Sequence, residues 1–228
     1  MKGLRLTLPQ ARAVLVAAQG LDARPGQPAT QEAVLGCIRR MGALQIDTIH
    51  VVARSPFLVL FSRLGPYEPA WLEALLRERR LFEYWSHEAC FLPIEDFPLY
   101  RHRMLDLRGM AWKYAHALME KRRDEVEALL GRIRAEGPVR SSDFTRTDGK
   151  SGGWWEWKPE KRMLESLFTA GELMIARRER FQRVYDLRER VLPDWSDAAL
   201  PPREEAERTL ALKAVRALGV TSARWVAD

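Results

Sequence analysis

Gln45 and Asp47 stand two residues apart in Leu44-Gln45-Ile46-Asp47-Thr48-Ile49, an amide and a carboxylate separated by one apolar residue. The interleaved Leu44, Ile46 and Thr48 predict an extended backbone. In that conformation the two polar side chains leave the same face, roughly 6.5–7 Å apart along the chain. Such a pair can hold a water molecule. The amide orients it, and the carboxylate takes its proton or faces a developing positive charge. A plainer role is also open: an Asp after a short strand can cap a helix, form a turn or pair with an arginine such as Arg54.

Other residues carry weaker signals. His87 and Glu88 stand between two apolar runs, where they could support the Gln45/Asp47 wall or be satisfied structural groups. His87-Glu88-Ala89-Cys90 has metal-ligand character, yet no second His or Cys follows at finger-type spacing, so no metal is expected. Arg177, Arg178, Arg180 and Arg183 crowd one charged stretch. They could lie along a phosphate backbone or form a solvated hairpin tip. Trp154, Trp155 and Trp157 could stack on bases or pack in the core. There is no Walker loop, GxGxxG, GxSxG or HExxH.

The chain of 228 residues is 46% hydrophobic, enough for one or two domains with a real core. No apolar run is long enough to span a membrane, and the N-terminal residues lack the apolar core of a signal peptide. A cytoplasmic, nucleoid-associated location is expected. Cys37 and Cys90 are therefore expected to be buried free thiols. A net charge of +6 and a pI near 9.6 suit an anionic partner without naming it.

The elements that must position these residues follow from punctuation and period. Thr7, Pro9 and Gly20 bracket a first helix, and Thr30 starts a second that runs to about Met41. After the Gln45/Asp47 segment, Pro56 opens a third helix ended by Gly65-Pro66, and Pro69 a fourth that ends near Arg79. The runs 81–85 and 88–92 predict paired strands. This is winged-helix order. A connecting helix from Asp96 to about Arg108 and a long helix from about Met110 to Ala135 follow. Next come a short helical turn after Ser141 or Ser142, an open loop from Thr147 to Gly153, and a helix from Pro159 that stops at Gly171. A hairpin through Leu173 to Leu187 completes the same order again. Glu204 to Leu218 predicts an amphipathic helix closed by Gly219, with Thr221 or Ser222 starting another. The expected fold class is α+β, mainly helical, with tandem winged-helix modules and small β-hairpin wings. The expected organisation is a first module at 1–95, a second at 96–195, and a linker with the start of a shortened third module at 196–228.

Several literal stretches resemble the YcaQ/AlkZ-type DNA glycosylases: Leu44 to Ile49, Val52 to Gly65, Glu83 to Phe91, Gly153 to Pro159 and Phe181 to Leu187. Those enzymes repair interstrand crosslinks and alkylated guanines. The resemblance implies tandem winged helices followed by a third module and a C-terminal β-barrel that has no counterpart here. It aligns Gln45 and Asp47 with the family's catalytic motif in its Gln-x-Asp branch, which is linked to a broad range of N7-alkylguanine lesions. It implies damaged double-stranded DNA as partner, no cofactor, a monomer, and phosphate contacts from Arg54, Arg63 and the four hairpin arginines. Access from a groove with limited distortion is expected, because a guanine tethered to the opposite strand cannot flip out freely. A non-enzymatic winged-helix regulator or architectural factor would use the same hairpins. In that reading Gln45 and Asp47 are structural. A piece that keeps the fold but not the activity is the third possibility.

Overall fold

The computed structural model describes residues 4–47, 49–106, 115–145 and 157–227, which divide into two compact units. The first comprises Met1–Leu99 and Pro201–Asp228, the second Tyr100–Leu200.

In the first unit, α1 (Leu8–Ala18) starts at Thr7, whose side chain and that of Gln10 cap each other's backbone. Helix α2 (Gln31–Met41) is capped by Thr30, and its apolar stripe of Val34, Leu35 and Ile38 is fully buried. Gly42, at φ 81°, stops α2 in a conformation that costs other residues a steric clash. Strand β1 (Leu44–Gln45), α3 (Ser55–Leu64), α4 (Ala70–Arg77), β2 (Leu81–Trp85) and β3 (Ala89–Pro93) follow. The three strands pair antiparallel in the order β1-β3-β2. Helices α3 and α4 each pack on α2, and α2 on β3, with Leu60, Leu72, Leu75, Tyr84, Phe91 and Leu92 buried. Phe82 meets Phe97 edge to face at 5.5 Å.

The C-terminal part of this unit is α10 (Arg203–Leu218) and α11 (Ala223–Ala227). Helix α10, assigned from sequence to the start of a further module, packs on α1 and α2. Gln19 donates to the Ala217 carbonyl at 2.6 Å, and Lys213 reaches both carboxylate oxygens of the buried Asp96 at 2.6 and 2.5 Å. Burial raises the Asp96 carboxyl above its ordinary range even though Lys213 pulls it the other way.

The second unit repeats the connectivity. Helix α5 (Phe97–Leu105) carries the chain into it, and α6 (Ala115–Lys121), α7 (Arg123–Glu136), β4 (Val139–Arg140), α8 (Pro159–Thr169), β5 (Leu173–Glu179), β6 (Gln182–Leu187) and α9 (Arg188–Val191) follow. Its sheet has the order β4-β6-β5. In each unit helices pack against a three-stranded sheet whose short first strand joins the hairpin's second arm.

Two expectations change. The single long helix before Gly137 is two helices that part at Arg122 (φ −119°, ψ 37°), because α6 packs on α8 whereas α7 lies against β6. Each predicted two-stranded wing gains a third strand of two residues, too short for an alternating pattern to announce it. Trp154 and Trp155 lie outside the described residues; Trp157 packs its ring under the Lys161 ammonium at 4.0 Å.

Candidate active site

The geometry around Gln45 follows from strand pairing. Leu44 faces Phe91 and Gln45 faces Cys90 in register, and Ile46 N–H extends the ladder to the Ala89 carbonyl at 2.7 Å. Leu44 and Ile46 are buried, whereas Gln45 is exposed and Asp47 half-buried. This is the alternation the sequence predicts, extended one residue past the strand.

Asp47 does two things at once. Its Oδ1 accepts the Ile49 N–H at 2.8 Å, so the turn-former role weighed against catalysis is present. That bond fixes the carboxylate's orientation, and Oδ2 is tied to none of the described residues. Beyond it, His50 and Arg54 form an isolated antiparallel bridge, after which Arg54 occupies the N-cap position of α3. Ile49 is thus tied to Asp47, and residues 50–54 are closed by the bridge. Ile49, Val51 and Val52 are 70%, 88% and 83% exposed.

His87 and Glu88 are exposed in the β2–β3 turn, where Ser86 N–H donates to the Glu88 carbonyl at 2.9 Å. Ala89 follows directly, so the register places this turn at the same end of the sheet as Asp47. Cys90, beside Gln45, is buried, and its burial pushes the thiol up to about 11. At neutral pH it is protonated, hence no nucleophile. Cys37 is also a buried free thiol raised by burial. Among the described residues no group of three or more His, Cys, Asp or Glu side chains gathers to hold a metal, and no helix is long and apolar enough to cross a membrane.

The arginines separate into different environments. Arg63 donates to the Gln19 carbonyl and Gln19 Oε1 at 2.9 and 3.0 Å and to the Val59 carbonyl at 3.0 Å, which ties α3 to the end of α1. Arg183 pairs with the buried Glu165 at 2.8 Å, lies 4.7 Å from the Phe168 ring centre, and shares Glu165 with the Tyr185 hydroxyl at 2.9 Å. Arg177 pairs with Glu179 at 2.7 Å. Arg178 is buried and spans the β5–β6 turn, donating to the Phe181 carbonyl at 2.6 Å with its guanidinium 4.4 Å from that ring. Arg180 alone of these four is exposed. Arg180 and Phe181 both take positive φ, 50° and 66°, in a two-residue turn where Asn-Gly is the usual choice. The strain is held by the Arg178 contacts.

Sequence reasoning missed a basic recess in the first unit. A cavity of about 430 Å³ is lined by Arg39, Arg40, Lys213 and Arg216 with Ala18 and Gly42. Three of its cations are engaged: Arg39 with Glu95 at 2.5 Å, Lys213 with Asp96, and Arg40 with the carbonyls of Ala18 and Ala17 at 3.0 and 2.7 Å. These residues come from α1, α2 and α10, and no short sequence pattern marks them.

The solved structure of Streptomyces sahachiroi DNA glycosylase AlkZ is similar in fold, with a TM-score of 0.55 at 16% identity over 98% of this chain. The chain spans 64% of that protein's length. The family model described as DNA glycosylase AlkZ-like matches residues 38–228, a range that opens in α2 and includes Gln45, Asp47 and both hairpins. The chain belongs to the AlkZ-like DNA glycosylase family.

Proposed function

We propose that this chain is a monofunctional DNA glycosylase that hydrolyses the N-glycosidic bond of N7-alkylated guanine and unhooks interstrand crosslinks built on that bond. The observation that carries the reading is the pair Gln45 and Asp47 on the solvent side of a strand whose alternate residues are buried, within a family of DNA glycosylases.

Alkylation at N7 leaves guanine cationic and already a good leaving group. The demand falls on the sugar, which becomes oxocarbenium-like as the bond to C1′ lengthens. Asp47 would face that charge and take a proton from the attacking water, and Gln45 would orient the water. The Ile49 N–H holds Oδ1 in place and leaves Oδ2 for the water. No amine nucleophile takes part, so the product is an abasic site. Damaged duplex DNA is the partner, and Arg180 at the hairpin tip is the best exposed of the candidate phosphate contacts. Arg63, Arg178 and Arg183 would act by holding their elements in place.

Asp47→Asn should lower release of 7-methylguanine from duplex DNA by at least about 100-fold while binding stays within a few-fold of the parent. Equal turnover by the variant refutes the assignment.

A further inference from the structure

We propose that residues 49–52, directly after the candidate acid, form an apolar wedge that enters the base stack beside the damaged nucleotide. The inference rests on the glycosylase reading above and deepens it by giving the site a way to reach its bond.

Ile49, Val51 and Val52 stand at 70%, 88% and 83% exposure within four residues. Burying such side chains is favourable, so presenting three together to water is a cost with no structural return. Two contacts hold residues 49–54: the Ile49 N–H on the Asp47 carboxylate and the His50–Arg54 bridge. All three side chains are β-branched and stiff, and lose little rotamer freedom on insertion. Along this segment the charge suits a polyanion: from Leu44 to Tyr67 Asp47 is the sole acidic residue, and Arg54 and Arg63 are the cations. An apolar tip on an acid-poor segment matches the stacked interior of a duplex between its phosphate rails. Apolar side chains wedge between base steps and kink the helix. For a guanine tethered to the opposite strand, opening the neighbouring step exposes C1′ without rotating the base out.

The test uses this chain with duplexes that carry 2-aminopurine next to a tetrahydrofuran abasic-site analogue, a probe that needs no catalysis. Saturating parent protein should raise the 2-aminopurine fluorescence several-fold. The double variant Val51→Ser, Val52→Ser should bind without that rise and melt at the parent's temperature. It should also release 7-methylguanine about tenfold more slowly from duplex DNA, with release from single strands unchanged. A fluorescence rise retained by the double variant overturns the proposal. So does a melting temperature several degrees lower, which would mark the loop as packed against protein, or a parent chain that gives no rise. A parent that unstacks the probe but releases no base leaves the wedge standing and removes the glycosylase reading. A parent that releases base without unstacking does the reverse.

Discussion

The two sheets of the molecule share a plan and differ in how they treat charge. In each, a two-residue strand buries its first residue, Leu44 or Val139, and turns its second outward, Gln45 or Arg140. On the second sheet the outward group is neutralised at once. Arg140 pairs with Asp143 and Glu179, each at 2.9 Å, and holds the Asp143 carboxyl below its ordinary range. Glu179 in turn receives Arg177. On the first sheet Gln45 and Asp47 meet no such partner among the described residues, and the loop beyond them carries apolar side chains instead. One edge is built as a closed electrostatic network and the other as an open wall. The arginine run on the second sheet is thus largely engaged within the protein: Arg177 and Arg183 pair with carboxylates and Arg178 bonds a backbone carbonyl, leaving Arg180 as its exposed member.

That contrast can be broken in the second unit first. Glu165→Ala removes the acceptor of both Arg183 and the Tyr185 hydroxyl inside the core, and should cost roughly 3–5 kcal/mol in urea unfolding. Arg183→Ala combined with it should cost far less than the sum of the two single changes. Additive costs would mean that Arg183 is available to a phosphate after all.

A smaller effect should appear in acid. Asp197 accepts both arms of Arg101 at 2.9 and 2.8 Å and the Trp195 indole N–H at 2.9 Å. The Arg101 guanidinium holds its carboxyl down at about 2, against an ordinary 3.8. A carboxyl lowered on folding stabilises fully above its unfolded value, so this contribution is present above pH of about 4 and is lost as pH falls from about 4 to about 2. Asp197→Asn should flatten the melting-temperature profile across that window; an unchanged slope there excludes the pair.

The smallest effect concerns the exposed tip. Arg180→Ala should leave stability unchanged within about 0.5 kcal/mol and weaken DNA binding a few-fold for every sequence, with the salt slope lower by about one. A larger loss confined to particular sequences would make Arg180 a base reader.

Much of this was legible in the chain. Caps at Thr7 and Thr30, prolines at Pro9, Pro56 and Pro159, and glycines at Gly42, Gly65 and Gly219 bound the helices close to where they were expected. The alternation that pointed to Gln45 and Asp47 is the alternation of burial. What stayed hidden is long-range. A two-residue strand has no period to detect, and its existence depends on a hairpin more than forty residues away. The break at Arg122 follows from which neighbours α6 and α7 meet. The fate of the arginines depends on acids brought alongside by folding, Glu165 above all. The placement of α10 against α1 was equally out of reach. There Gly219, at φ 70°, lies so near Ala18 and Val14 that an added Cβ would sit 2.8 Å from Ala18 Cβ.

The thiol beneath Gln45 has a chemical consequence of its own. A protein that works on alkylated DNA moves among the electrophiles that made the damage, and a cysteine thiolate is their preferred target. Burial that holds Cys90 near 11 leaves only about one thiolate in ten thousand at pH 7. The strand paired with Gln45 is thereby kept from becoming a casualty of the electrophiles behind the lesions this chain is proposed to remove.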